Sequence, residues 1–223
     1  AHFESCRKAR NAELYAICQR NEEKLREVGE QFGVERRFSS YEKLLQDPNV
    51  DAVHINTPIA AHAPMSLAGL NAGKHVACTV PMATTVEECV ALVEAERRSG
   101  KNYMMMETAV YTREFLFVQE LAKCGDLGTI QFLRGAHYQD MENWPSYWMG
   151  LPPMWYATHA VSPLLVLSGT RAKKVHCFGS GVMRAELHQQ YGNRFPVETA
   201  IFQLEKPGLA AEVSDAFRDS RIG

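Results

Sequence analysis

The chain has 223 residues, 46% of them hydrophobic and 22% charged, with a net charge of −2. That length allows one large domain or two small ones, and the near-neutral balance argues against nucleic acid or an anionic membrane surface as a partner. No apolar run reaches the roughly 20 residues that a membrane span needs.

The first half alternates short apolar runs with helical patterns. Residues 13–18 read as a strand. Asn21 caps a helix with Leu25, Val28 and Phe32 on one face, and Gly33 stops it. Ser39 with Glu42 makes a capping box for a short helix through Leu45. Residues 51–56 are the next strand. Pro64 opens a helix that ends at Gly73, and residues 75–80 are a strand. Thr84 with Glu87, or Thr85 with Glu88, caps a helix carrying Val86, Val90 and Val93, stopped by Gly100. Residues 102–107 are another strand. This alternation predicts βαβ units on a parallel sheet.

After Glu107 the pattern changes. Residues 112–124 read as a helix, broken at residues 125–128. Residues 130–140 form a longer strand, and 143–153 an aromatic, proline-containing loop. A helix over 157–168 ends at Gly169. Residues 173–180, 199–205 and 210–216 read as strands. The fold class expected is α/β, a Rossmann-like parallel sheet over 1–110, followed by an α+β domain with a mostly antiparallel sheet over 111–223.

Cys6, Cys18, Cys78, Cys89, Cys124 and Cys177 form no C-x-x-C pair and are expected to be free thiols in a reducing, cytoplasmic compartment. The chain begins without Met and ends at Arg221-Ile222-Gly223 without a closing element, so both ends are expected to be cut.

The run INTPIAAHAPMSLAGLNAGKHVACTVP, residues 55–81, resembles a signature of the Gfo/Idh/MocA family of nicotinamide-dependent sugar oxidoreductases. The family's pattern runs T-P-x-x-x-H, then A-G-K-H-V, then C-E-K-P. Thr57, Pro58, His62, residues 72–76, Cys78 and Pro81 match, while Thr79-Val80 replaces Glu-Lys. In the family that Lys binds substrate and takes part in proton transfer, and valine has no proton to give. The resemblance implies NAD or NADP as cofactor, a small-molecule carbohydrate substrate and a homo-oligomer.

A Rossmann domain cradles pyrophosphate with G-x-G-x-x-G between its first strand and helix. The sequence has no such motif. The resemblance places Ala1-His2 just after it, so the first strand and the phosphate loop are expected to be missing from the sequence. Gln19 stands where an acidic ribose ligand is expected, and Arg20 can meet a 2′-phosphate or stack on adenine; a solvated pair in a loop is the other reading. Asn56, Thr57, Pro58 and His62 fall at the carboxyl end of a strand, where open α/β sheets bind ligands, although His62 can instead cap its own helix. Thr79, Val80, Pro81 and Glu107 complete the implied cofactor-binding set.

The family's second domain opens a helix with D-x-x-x-H. His159 matches, but Trp155 stands at the Asp position. The pattern is similar to one subgroup, the NAD-dependent glycoside hydrolases of the α-N-acetylgalactosaminidase type. These tend to carry V-P, an M-x-x-E-N-x-x-Y stretch, a Tyr on the following strand and a Y-x-T-H helix start. Met104, Glu107 and Tyr111 match, as do Tyr138 and Tyr156, Thr158 and His159; Thr108 departs from Asn. In that subgroup NAD⁺ removes hydride from C3 of the sugar, a base takes the C2 proton and the C1 substituent leaves. Water then adds and the hydride returns, a route unlike that of two-carboxylate glycosidases.

The resemblance makes Tyr138 the candidate C2 base. A phenol titrates near ~10, so it would need a neighbouring cation or hydrogen-bond donors. His159 would serve the C3 hydroxyl with Tyr156 beside it. Glu107 would hold nicotinamide ribose or substrate, and Tyr111 and Trp155 would contact substrate. The plainer readings are a Tyr138 ring packed at the surface, a His159 in the cap region and a Glu107 at a helix entry. Residues 138, 140 and 142 share one strand face and His137 the other, so no metal is expected. Trp144, Tyr147, Trp148, Trp155 and Tyr156 form an aromatic cluster suited to a sugar, a small core or a subunit contact. Three functions follow: an NAD(P)-dependent sugar oxidoreductase, an NAD-recycling glycosidase, and a non-catalytic sugar- or nucleotide-binding relative.

Overall fold

The computed structural model describes residues 2–141 and 143–218. The expectations about Glu142 and residues 219–223 lie outside them. Packing divides the chain into two units. The chain through Cys78, with Thr85–Met104, makes the first; Thr79–Thr84, with the chain from Met105 onward, makes the second. The chain thus leaves the first unit after Met104, ahead of the boundary expected near Tyr111.

The first unit runs α1 (His2–Lys8), β1 (Ala16–Cys18), α2 (Glu22–Phe32), β2 (Arg36–Phe38), α3 (Tyr41–Gln46), β3 (Ala52–Ile55), α4 (His62–Asn71), β4 (His75–Cys78), α5 (Val86–Ser99) and β5 (Tyr103–Met105). β1 pairs in parallel with β2, and β3 in parallel with β4, with β5 beyond β4. The helix signals act where they were expected. Asn21 Oδ1 accepts the Lys24 N–H at 2.9 Å, and Gly33 closes α2 at φ 66°. Ser40, rather than Ser39, caps α3: its Oγ accepts the Lys43 N–H at 3.3 Å and donates to Glu42 at 2.6 Å.

Three local expectations are corrected. A 3-10 turn over Ile59–Ala61 precedes α4, which starts at His62, so Pro64 sits inside its first turn. Val86, Val90 and Val93 face solvent, and α5 instead buries Leu92 and Ala95. β2 was not anticipated, because Arg36-Arg37 masks a strand held mainly by its backbone pairing to β1. Lys74 of the A-G-K-H-V run is buried and donates from Nζ to the Asp47 carbonyl at 2.8 Å, where α3 ends. That lysine is a tie between elements, satisfying one of the carbonyls a helix end leaves open.

The second unit contains α6 (Arg113–Cys124), β6 (Phe132–Asp140), α7 (Thr158–Ser168), β7 (Ala172–Ser180), α8 (His188–Tyr191), β8 (Val197–Leu204) and β9 (Ala210–Arg218). The sheet order is β6-β9-β8-β7, parallel between β6 and β9 and antiparallel elsewhere. The α+β unit with a mostly antiparallel sheet is as expected. α7 lies on one face, where Leu133, Ala160, Leu164, Leu204, Ala211 and Val213 form the core. Each large aliphatic side chain buried there contributes roughly 1.5–3 kcal/mol. Phe132, Tyr138, Phe178 and Ile201 stay exposed. Gly135 lets α7 approach β6: a Cβ there would come within 2.6 Å of the Ala160 carbonyl oxygen. Among the described residues no helix is long and apolar enough to cross a membrane.

Candidate active site

The second unit gathers two histidine–carboxylate pairs on the face of the sheet covered by α7. The first pair joins the start of α7 to the 3-10 turn over Thr108–Tyr111. Glu107 caps that turn, its Oε1 accepting the Ala109 N–H at 2.9 Å, and the same oxygen lies 2.6 Å from His159 Nδ1. The second pair is set by strand register. His137 on β6 and Asp215 on β9 are direct partners on one face, with His137 Nδ1 3.2 Å from Asp215 Oδ1. In each pair the carboxylate accepts, which fixes the ring proton on Nδ1 and leaves Nε2 as the acceptor. Both acids are buried, while each histidine side chain keeps about a fifth of its surface exposed. The two imidazoles lie 5.1 Å apart, and Tyr156 packs 5.1 Å from His159 and 5.7 Å from His137.

The two acids are tuned oppositely. Burial pushes the Glu107 carboxyl up, but the His159 hydrogen bond, the Ala109 N–H and the His159 charge outweigh it, so Glu107 is held below the usual carboxylate range. Thr158 favours the ionised form weakly, although its hydroxyl makes no hydrogen bond of normal geometry and Glu107 Oε2 stays buried without a partner. Burial pushes Asp215 up, and His137 offsets this only in part. Glu198, opposite Asp215 on β8, is also pushed up by burial and by Asp215, while its Oε2 accepts the Met154 N–H at 2.8 Å. Burial, then the charges of Glu107, Asp215 and Tyr147, raise the Tyr156 phenol, which therefore stays protonated at neutral pH.

Of the predicted catalytic residues, His159 and Tyr156 come together and Tyr138 does not. Tyr138 is 66% exposed and points to the opposite face of β6, because side chains alternate along a strand. The residue on the inner face is its neighbour, His137. Glu107 is 4% exposed and engages Oε1 with His159 and the Ala109 N–H, an arrangement that orients the histidine. Trp155 is 37% exposed and packs edge-on to Tyr191 at 5.8 Å, and Tyr111 is exposed on the 3-10 turn. The aromatic cluster forms, with Trp148 4.9 Å from Tyr156 and 5.1 Å from Trp144. Sequence reasoning missed His137 and Asp215; the alternation that put His137 opposite Tyr138 was the signal for the first. Among the described residues no three His, Cys, Asp or Glu side chains converge on a metal geometry.

The predicted cofactor residues of the first unit lie at strand ends. Gln19 and Arg20 follow β1 and are exposed, and Gln19 Oε1 accepts the Asn21 N–H at 3.3 Å. Asn56 and Pro58 are exposed after β3. His62 is buried, and its Nε2 lies 2.8 Å from the Thr57 carbonyl, a contact that ties the turn together. Thr57 Oγ1 is buried with no hydrogen-bond partner. An orphaned hydroxyl at the carboxyl end of a parallel strand fits a polar cofactor atom. In the second unit Val80 and Pro81 are buried, joined by a cis peptide, and Thr79 is half-buried.

Residues 1–107 match the Gfo/Idh/MocA model, described as an oxidoreductase family with an NAD-binding Rossmann fold. Glycosyl hydrolase family 109 protein 1 of Shewanella sp. (strain ANA-3) is 35% identical over 137 residues, 56% of this chain and 30% of the relative. The chain therefore spans under a third of the length of that curated relative. A probable dehydrogenase from Thermotoga maritima superposes with a TM-score of 0.86 at 23% identity, over 97% of this chain and 65% of that one. Scyllo-inositol dehydrogenase from Lactobacillus casei with bound NAD(H) and scyllo-inositol does so with a TM-score of 0.82 at 19% identity, over 98% and 66%. These likenesses establish the fold.

Proposed function

We propose that this chain, whose residues 1–107 belong to the Gfo/Idh/MocA oxidoreductase family, is part of an enzyme that uses NAD or NADP to act on a carbohydrate by hydride transfer at a ring hydroxyl, C3 by the resemblance. The observation that carries the reading is the buried Glu107–His159 pair at 2.6 Å. Fold alone would not carry it.

A bound nicotinamide supplies the hydride acceptor. The chain's own residues handle the proton. Glu107 keeps the His159 Nδ1–H in place, so Nε2 takes the proton of the carbinol hydroxyl as its C–H hydrogen departs as hydride. The ionised Glu107 then stabilises the imidazolium. A positioned base of this kind accelerates a reaction by about 10²–10⁴-fold. Tyr156 stays protonated and donates to substrate oxygen. With Val80 where the family's common pattern has Lys, His159 is the proton acceptor. Thr57, Asn56 and Pro58 of the first unit would hold the cofactor, and Gln19 and Arg20 would meet its ribose. Trp155 and Tyr111 are substrate-side contacts.

A second reading is an NAD-recycling glycosidase, favoured by Val80 and by the 35% identity to a family 109 glycosyl hydrolase. The test mixes the full-length protein with NAD and a panel of sugars, polyols and aryl glycosides. Reduced nicotinamide accumulating with turnover indicates net oxidation; release of the leaving group without net reduction indicates the glycosidase. In either case His159→Gln should slow turnover about a hundredfold with nucleotide affinity unchanged. Full activity in that variant would remove His159 from the chemistry.

A further inference from the structure

One row of side chains crosses the whole second sheet on the face that α7 covers. Register puts His137 of β6 opposite Asp215 of β9, Asp215 opposite Glu198 of β8, and Glu198 opposite Gly179 of β7. Two acids therefore stand side by side in its middle. Asp215 is fully buried, with Oδ1 on His137 and Oδ2 without a partner. Glu198 is half-buried, and its Oε2 accepts the Met154 N–H at 2.8 Å. Beyond Glu198 the row closes on an apolar ring, since a Cβ on Gly179 would come within 2.1 Å of the Phe195 side chain. The groups that face the two acids are His137, His159, the Tyr156 phenol, the Cys177 thiol and the Ala216 and Met154 N–H groups. Among the described residues neither acid makes an ion pair with Lys or Arg. Side chains directly opposite on an antiparallel pair have Cβ atoms about 4.5–5.5 Å apart, so the two carboxyl groups are in reach of one another, and as like charges they repel. A buried carboxylate oxygen without a donor adds to that cost. One proton removes both costs, because it turns one acid into a donor for the other.

We infer that Asp215 and Glu198 hold one proton between them at neutral pH, and that this shared proton keeps Glu198 on the Met154 N–H and so positions Tyr156 and His159. Met154 belongs to the 3-10 turn over Pro153–Trp155, which runs directly into Tyr156 and the start of α7. Burial raises both acids, which holds the proton on the pair to higher pH than an ordinary carboxyl would. The pair titrates as a unit. Losing the proton leaves two negative charges facing each other across the ladder. Glu198 is the less buried of the two, so it is the one that turns to solvent, and the Met154 N–H is released with it. The support of the site is thus engaged at neutral pH and let go in alkali. Glu198 is a positioning residue and touches no substrate. Its effect on turnover rests on the hydride-transfer reading of the site; the shared proton does not.

The experiment records the infrared spectrum of the full-length protein against pH, together with the Met154 amide signal by NMR. At neutral pH the parent should show the C=O band of a protonated carboxyl. Glu198→Gln and Asp215→Asn each put an amide N–H where the shared proton lies, so each should abolish the band while keeping the shape of the pair. In the parent, the Met154 amide shift should move over the alkaline titration that removes the band; in Glu198→Gln it should stay fixed, and the alkaline fall in turnover should move to higher pH. Glu198→Leu keeps neither proton nor acceptor and should lower turnover about tenfold at neutral pH. No band in the parent at neutral pH, a band that survives either amide variant, or a Met154 shift indifferent to its loss overturns the inference. Band and shift behaving as expected in a protein that oxidises no sugar would uphold the shared proton and strike the hydride-transfer reading alone.

Discussion

At the scale of single residues, Glu107 and Asp215 look alike and behave as opposites. Glu107 is held below its ordinary value, so its stabilisation is present above the unfolded carboxylate range, near ~4.3, and is lost as pH falls through the lower folded value. Glu107→Gln removes a charge-assisted hydrogen bond and should cost about 1.5–3 kcal/mol at neutral pH, measured by denaturant unfolding, with the difference from the parent shrinking in acid. Asp215 is raised, so the folded state binds its proton more tightly than the unfolded state does. Its contribution is favourable below the folded value and lost as pH rises through it. Burial raises it, and His137, the Ala216 N–H and His159 offset that only in part. Asp215→Asn should therefore melt no lower than the parent at neutral pH and gain on it as pH rises from about 4. A steady loss of stability at all pH values would contradict this. Reading the sequence found Glu107 and His159 but not their contact, because a linear pattern does not show that 52 positions later a histidine returns to it.

At the scale of elements, the site depends on how closely α7 lies on β6. Gly135 sets that distance, since the Ala160 carbonyl occupies the space of its missing Cβ. Gly135→Ala should force the helix away, cost about 1–3 kcal/mol and lower turnover by misplacing His159 next to Ala160. Circular dichroism melts and turnover would check both; a variant with parent turnover would show that the spacing has slack. Elements were legible where local chemistry fixes them. Asn21, Thr85 and Thr112 cap helices through their own side chains, and Gly33, Gly100, Gly125 and Gly169 close them in the left-handed region. Legibility failed where a neighbour decides. Arg36–Phe38 is a strand because β1 lies beside it, and Val86, Val90 and Val93 repeat at helical spacing yet face outward. The Tyr138 assignment failed by one residue of register, and on a strand one residue is the whole difference between faces.

At the scale of the whole molecule, the order of strands and helices was readable because βαβ alternation and long antiparallel strands leave different periodicities. The pairing β6-β9-β8-β7 was not, since it joins β6 to the last described strand, and Asp215 entered the site only through that pairing. Cofactor binding is a property of the whole as well. NAD bound only by the folded state, at about a hundred times its Kd, should stabilise the full-length protein by about 2.7 kcal/mol, visible as a raised melting temperature. The central claim, a nicotinamide-dependent enzyme, is tested most directly by denaturing purified full-length protein, identifying any released nucleotide by absorbance and mass, and titrating the apoprotein with NAD and NADP. The account predicts a resident dinucleotide or saturable binding of one of the two. A protein that carries neither and binds neither would contradict it.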